Sequence, residues 1–177
     1  MISKQAVLDI ALNEVGYLEK ASNSNLDHPK ANAGSGNWTK YARDLDKITG
    51  FYNGRKNGFA WCDCFVDWCF VQAYGAATAK ALLCQPDNSA GAGCTYSAQY
   101  YKNKGRFHAS PVVGDQIFFG SGSESTHTGL VWKVDGEKVY TVEGNTSGAS
   151  GALCQLYGYR HALYYAGWKW RRDFRGC

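Results

Sequence analysis

The 177-residue chain has no long basic run, no apolar stretch of membrane-spanning length, no internal repeat and no low-complexity tract. Each absence removes a class of protein. A formal net charge of +4 spread along the chain argues against a dedicated nucleic-acid binder, while leaving room for weak attraction to anionic polymers. Without a run of about 20 apolar residues there is no membrane-crossing helix to expect. The first residues lack the basic-then-apolar pattern of a secretion signal, so no signal peptide is predicted. Seven cysteines are present, yet none forms a Cys-x-x-Cys pair, and Cys62-Asp63-Cys64 is too closely spaced for the usual zinc ligand pair. A thiol-redox or zinc protein is therefore disfavoured.

What is present suits one domain with one core. Aromatic residues make up 15% of the chain and glycines number 21. Ser3 is a candidate cap for a first helix with an apolar stripe of Val7, Leu8, Ala11, Leu12 and Val15, ended by Gly16. Ala21 to Asn37 reads as a loop containing His28, a surface histidine. Helices are predicted over Trp38–Ile48, from Cys62 towards Gly75, over Ala79–Cys84 and over Thr95–Lys104, where Tyr96, Tyr100 and Tyr101 form a core stripe. From Pro111 the pattern changes to strands: Gln116–Phe119, Thr128–Val134 and Lys138–Glu143, with Asp135-Gly136 as a hairpin turn. Helices followed by an antiparallel sheet predict an α+β fold.

The chain is organised around Trp61-Cys62-Asp63-Cys64-Phe65-Val66-Asp67-Trp68-Cys69-Phe70. A cysteine in the first turn of a buried helix faces unpaired N–H groups and the positive end of the helix dipole, which favour thiolate. The same N–H groups can hold an oxyanion. Cys62 fits that place. Cys64 lies on another face of the helix and Cys69 in its interior. His127 and Glu143 stand at the open end of the predicted hairpin, where a carboxylate can fix the imidazole tautomer. If the strand continues, Asn145 shares the face of Glu143. His108 and His161 are rival bases without such a setting. A lone cysteine beside tryptophan is more often a small buried hydrophobe; order and spacing together favour the catalytic reading.

Four motifs in sequence (Trp61-Cys62-x-x-Phe65-Val66-x-Trp68, Val113-Gly114-Asp115-Gln116-Ile117-Phe118-Phe119, His127-Thr128-Gly129-Leu130-Val131 and Glu143-Gly144-Asn145-Thr146) resemble the CHAP domain. That family comprises cysteine- and histidine-dependent amidohydrolases and peptidases, papain-like enzymes that cut peptidoglycan. The likeness runs from about Ile2 to Ser150 and is nearest to the catalytic domains of bacteriophage endolysins. It implies a papain-like packing of N-terminal helices on a C-terminal sheet, with Cys62 as nucleophile, His127 as base, Glu143 as orienter and Asn145 as a fourth polar group. The N–H of Cys62 would form half of an oxyanion hole, with Tyr52 or Asn53 as candidates for the other donor.

The resemblance implies bacterial peptidoglycan as partner, with no nucleic acid and no membrane, and action on the wall after release from the host cytoplasm. A monomer is expected. The product would be that of an N-acetylmuramoyl-L-alanine amidase or of an endopeptidase; the alternatives are a non-catalytic wall-binding module and a bacterial remodelling or effector amidase. No cofactor is expected. Some relatives bind calcium on an acidic loop, and Asp44 and Asp46 are the candidates here, but two carboxylates on different helix faces are too few for calcium. Cys84 and Cys94 flank one loop and are a candidate disulfide, disfavoured in a reducing cytoplasm. Beyond Ser150 the likeness fades. No separate wall-binding domain is expected, and Gly167-Trp168-Lys169-Trp170-Arg171 fits a last strand with both tryptophans on one face, a frame-shifted or swapped end, or a basic aromatic patch that touches the wall.

Overall fold

A computed structural model describes residues 2–121, 123–148, 151–160 and 165–167. Five helices come first: α1 (Lys4–Asn13), α2 (Lys40–Asp46), α3 (Cys62–Tyr74), α4 (Ala76–Leu82) and α5 (Cys94–Asn103). Strands β1 (Phe107–His108), β2 (Gln116–Ser121), β3 (Glu124–Asp135), β4 (Lys138–Gly148), β5 (Gly151–Arg160) and β6 (Tyr165–Gly167) follow. They form one antiparallel sheet in the order β1-β6-β2-β3-β4-β5. The α+β class is as the sequence predicts, with helices N-terminal and sheet C-terminal.

Helix α3 is the centre of the packing. Every residue from Cys62 to Phe70 is buried, including Asp63 and Asp67 on one face, whose carboxylates are met by Ser97, Gln116 and Tyr52. It ends at Gly75, where φ is +75° and the N–H still reaches the carbonyl of Val71. Helices α1, α2 and α4 and strands β3 and β4 all touch it. Aromatic rings lock it in place: Tyr41 of α2 stands 5.4 Å from Trp61, 5.2 Å from Phe65 and 5.1 Å from Trp68 between ring centres. Trp61 is fully buried and donates its indole N–H to Glu19, at 2.8 Å. A buried indole with a satisfied N–H gives both its packing and its hydrogen bond to stability.

Several boundaries differ from the sequence reading for local reasons. Helix α1 stops at Asn13, so Val15 falls outside the apolar stripe and is exposed. Ser3 occupies the N-cap position but makes no side-chain cap; its backbone bonds with the Tyr74 hydroxyl instead. Thr39 caps α2, accepting the N–H of Ala42 at 3.2 Å, which starts that helix two residues late. The tyrosine stripe of α5 divides: Tyr101 is wholly buried, whereas Tyr96 is 56% exposed.

The β3–β4 hairpin turns where Asp135-Gly136 predicts, with Asp135 opposite Lys138 and Gly136 at φ +56°. Beyond residue 150 the sheet continues, because β5 pairs with β4 and β6 pairs with both β1 and β2. The last strand among the described residues is Tyr165–Gly167; the strand expected over Gly167–Arg171, with Trp168 and Trp170, lies outside them after its first residue.

Strand β4 approaches α3 where Gly144 leaves room. A Cβ at Gly144 would stand 2.6 Å from the Trp61 ring and 2.8 Å from the Phe65 Cβ. Gly144→Val is therefore expected to destabilise the protein by about 1–3 kcal/mol, the usual range for overpacking. Urea unfolding checks it; an unchanged midpoint would mean that β4 can move off the helix without cost.

Candidate active site

Three elements deliver three side chains to one place. Cys62 is the first residue of α3, His127 lies on β3 and Glu143 on β4. The His127 Nε2 is 2.8 Å from a carboxylate oxygen of Glu143. The other oxygen of Glu143 accepts the Thr141 hydroxyl at 2.5 Å. Glu143 is almost completely buried, so both of its oxygens are held by protein. With Nε2 committed to Glu143, Nδ1 is the nitrogen left for the hydrogen bond between His127 and Cys62. The ring also stacks on Phe119 of β2, its cross-strand neighbour, at 5.7 Å and 29°.

This geometry needs a glycine between the two polar residues. A Cβ at Gly129 would sit 2.5 Å from the Cγ of Glu143. The bare backbone lets the Glu143 side chain cross β3 towards His127.

The electrostatics follow from the contacts. The Cys62 thiol is held well below its ordinary value, first by the Cys94 thiol that hydrogen-bonds to it and then, against burial, by His127 and the N–H of Asp63. Burial alone would lower His127, but its hydrogen bonds and charge pairing with Cys62 and Glu143 outweigh that and raise it to about 9. The site thus favours a thiolate–imidazolium pair at neutral pH. Glu143→Gln keeps the shape and removes the anion. The His127 midpoint, followed by NMR, is then expected to fall by about one to three pH units; an unmoved midpoint would show that Glu143 does not set the charge of the ring.

A second layer was not foreseen from sequence. Asp63, fully buried beside Cys62, accepts the Ser97 hydroxyl at 2.6 Å and the Gln116 amide at 3.0 Å. Gln116 also donates to Thr128 at 3.1 Å and accepts from Tyr101 at 2.9 Å. One amide therefore links the residue after the cysteine to the residue after the histidine. Burial chiefly raises Asp63, to about 7, against the Ser97 and Gln116 hydrogen bonds that lower it. An acid inside an otherwise apolar run was the readable signal. Cys94, the first residue of α5, also enters the site, with its sulfur 3.5 Å from that of Cys62. Nothing in the sequence spacing announces that approach.

Other candidates fall elsewhere. Tyr52 is buried and donates its hydroxyl to Asp67 at 2.7 Å. Asn53 donates its backbone N–H to the carbonyl of Ser89, and its side-chain oxygen accepts from Lys56, each at 2.8 Å. The Tyr52 hydroxyl is thus engaged within the core, whereas Asn53 is exposed. Asn145 does not continue the face of Glu143: the β4–β5 register shifts between Glu143 and Thr146, and Asn145 adopts φ +57°. Among the described residues no hydrogen bond joins Asn145 to His127.

Asp44 is engaged by Arg43, Lys47 and Trp68, and Asp46 accepts the N–H groups of Lys56 and Asn57. Among the described residues no cluster of three His, Cys, Asp or Glu side chains is arranged to hold a metal. No disulfide joins Cys84 and Cys94; the loop instead turns Cys94 towards Cys62. His28 binds the N–H groups of Lys30 and Ala31 in its own loop, His108 lies on β1, and His161 lies outside the described residues.

The family model of the CHAP domain matches residues 54–145, just over half of the chain, and spans Cys62, His127, Glu143 and Asn145. The chain belongs to the CHAP family. Comparison with characterised proteins and with solved structures gives no match. CHAP membership implies a cysteine- and histidine-dependent amidohydrolase or peptidase acting on peptidoglycan. In this CHAP domain no helix among the described residues is long and apolar enough to cross a membrane.

Proposed function

We propose that the chain hydrolyses an amide bond of bacterial peptidoglycan, in the manner of a bacteriophage endolysin, with Cys62 as nucleophile. The observation that carries this reading is the convergence of a thiol at a helix N-terminus with a histidine already paired to a buried carboxylate. The Cys62 thiolate attacks the carbonyl carbon, and the oxyanion is received by the N–H groups that open α3. Imidazolium His127 protonates the departing amine, and the resulting acyl-enzyme is released by a water that His127 deprotonates. Glu143 takes no proton; it holds the ring and its charge. Asn145, half-buried at the bulge, is assigned to substrate and not to the histidine.

Mass spectrometry of purified peptidoglycan after digestion tests the proposal and names the bond. New amino termini at L-alanine on whole stems mean an N-acetylmuramoyl-L-alanine amidase. New termini within stems or bridges mean an endopeptidase. Binding without released fragments, on walls of several stem and bridge types, would overturn the hydrolytic reading in favour of a binding module.

A further inference from the structure

The seven cysteines leave one relation that hydrolysis does not use. Cys62 and Cys94 are the first residues of two different helices, and their sulfurs face each other at 3.5 Å. Both are nearly covered, at 6% and 7% exposure. A disulfide has its sulfurs about 2.0 Å apart, so the remaining gap is of side-chain size. Cys64 and Cys69, on the same α3, are wholly buried with thiols pushed up chiefly by burial. Among the described cysteines only Cys62 combines a hydrogen-bonded cationic partner with a second thiol in contact.

We propose that Cys94 is a resolving thiol, so that a hydroperoxide converts Cys62 and Cys94 into a reversible intramolecular disulfide that blocks the site. In the first step the Cys62 thiolate attacks the distal peroxide oxygen. An S–O bond forms, the O–O bond breaks, sulfur gives up two electrons, and the alcohol or water leaves with a proton. Cys62 is then a sulfenic acid. In the second step the Cys94 sulfur attacks the Cys62 sulfur; the S–O bond breaks, and the departing hydroxide takes the Cys94 proton as water. Two thiols and one hydroperoxide thus give a disulfide, an alcohol and water. A dithiol reverses the result by exchange. The contact also explains protection: a sulfenic acid against a second thiol is consumed before a further peroxide carries it to irreversible sulfinic acid. The inference is independent of the substrate, since it is read from mass alone.

The test treats the purified full chain with hydrogen peroxide, followed by non-reducing peptide mapping and intact mass. Wild type is expected to lose about 2 Da, to yield a linked Cys62–Cys94 peptide, and to lose alkylation of Cys62 until dithiothreitol restores it. Cys94→Ser and Cys94→Ala should instead gain two or three oxygens at Cys62, as sulfinic or sulfonic acid, which dithiothreitol does not remove. Cys62→Ala should leave Cys94 a thiol under the same dose. If wild type yields no linked peptide and oxidises at Cys62 as irreversibly as the Cys94 variants, the proposal is overturned. Should both Cys94 variants fail to fold, the linked peptide in wild type still decides it.

Discussion

Cys62→Ala is expected to lower turnover of peptidoglycan by about 10⁴-fold or more while leaving the fold in place. The loss is large because no other described thiol shares the setting. Cys64 and Cys69 are sealed in the core and Cys94 is pushed towards the neutral thiol, first by its hydrogen bond with Cys62 and then by burial. The fold should tolerate the change because the substitution removes a single sulfur atom, at the first residue of α3. Circular dichroism and urea unfolding separate the two effects. Fragment release by Cys62→Ala at anything near the wild-type rate would remove Cys62 from the mechanism.

His127→Ala is expected to cost nearly as much, and the double variant with Cys62→Ala no more than either alone, because the members of such a unit fail together. The histidine also sets the pH window. Activity requires the Cys62 thiolate and the His127 imidazolium at once. It should therefore rise with pH through the depressed Cys62 value and decline again as His127 loses its proton near 9. The stability linkage has a definite sign. His127 is raised in the folded state, so the contribution of its protonated ring is fully present below the unfolded value of about 6.5 and lost as pH rises through about 9. Urea midpoints across that interval should fall for wild type and less for His127→Ala. A profile with its alkaline limb near pH 6.5 would show that the ring is not held in its charged form.

The elements that carry the site were legible because each rests on a local rule. A helix begins at Cys62 because a largely apolar and aromatic run starts there. His127 and Glu143 come together because the hairpin closes through the two-residue loop Gly136-Glu137, with Asp135 opposite Lys138, and its register fixes what stands near what. Residues whose role depends on contacts between distant elements were not legible. Asp63 and Thr128 meet through Gln116, which depends on how α3 packs on the sheet. Cys94 was read with its near neighbour in sequence, Cys84, whereas the start of α5 brings it to Cys62. Asn145 departs from strand alternation because the register shifts at a bulge and the asparagine adopts the left-handed region that this residue type tolerates. The hydroxyl of Tyr52 was not legible for a similar reason: its partner, Asp67, lies more than a turn inside α3.

The most direct test of the account is the rate of Cys62 alkylation by iodoacetamide as a function of pH, measured by peptide mass spectrometry on the reduced protein. The account predicts rapid reaction at pH 6, where an ordinary thiol with a pKa of about 8.5 is almost wholly protonated, and loss of that low-pH reactivity in His127→Ala. A single inflection near 8.5 that His127→Ala does not move would contradict it, for Cys62 would then be a buried thiol without an activating partner.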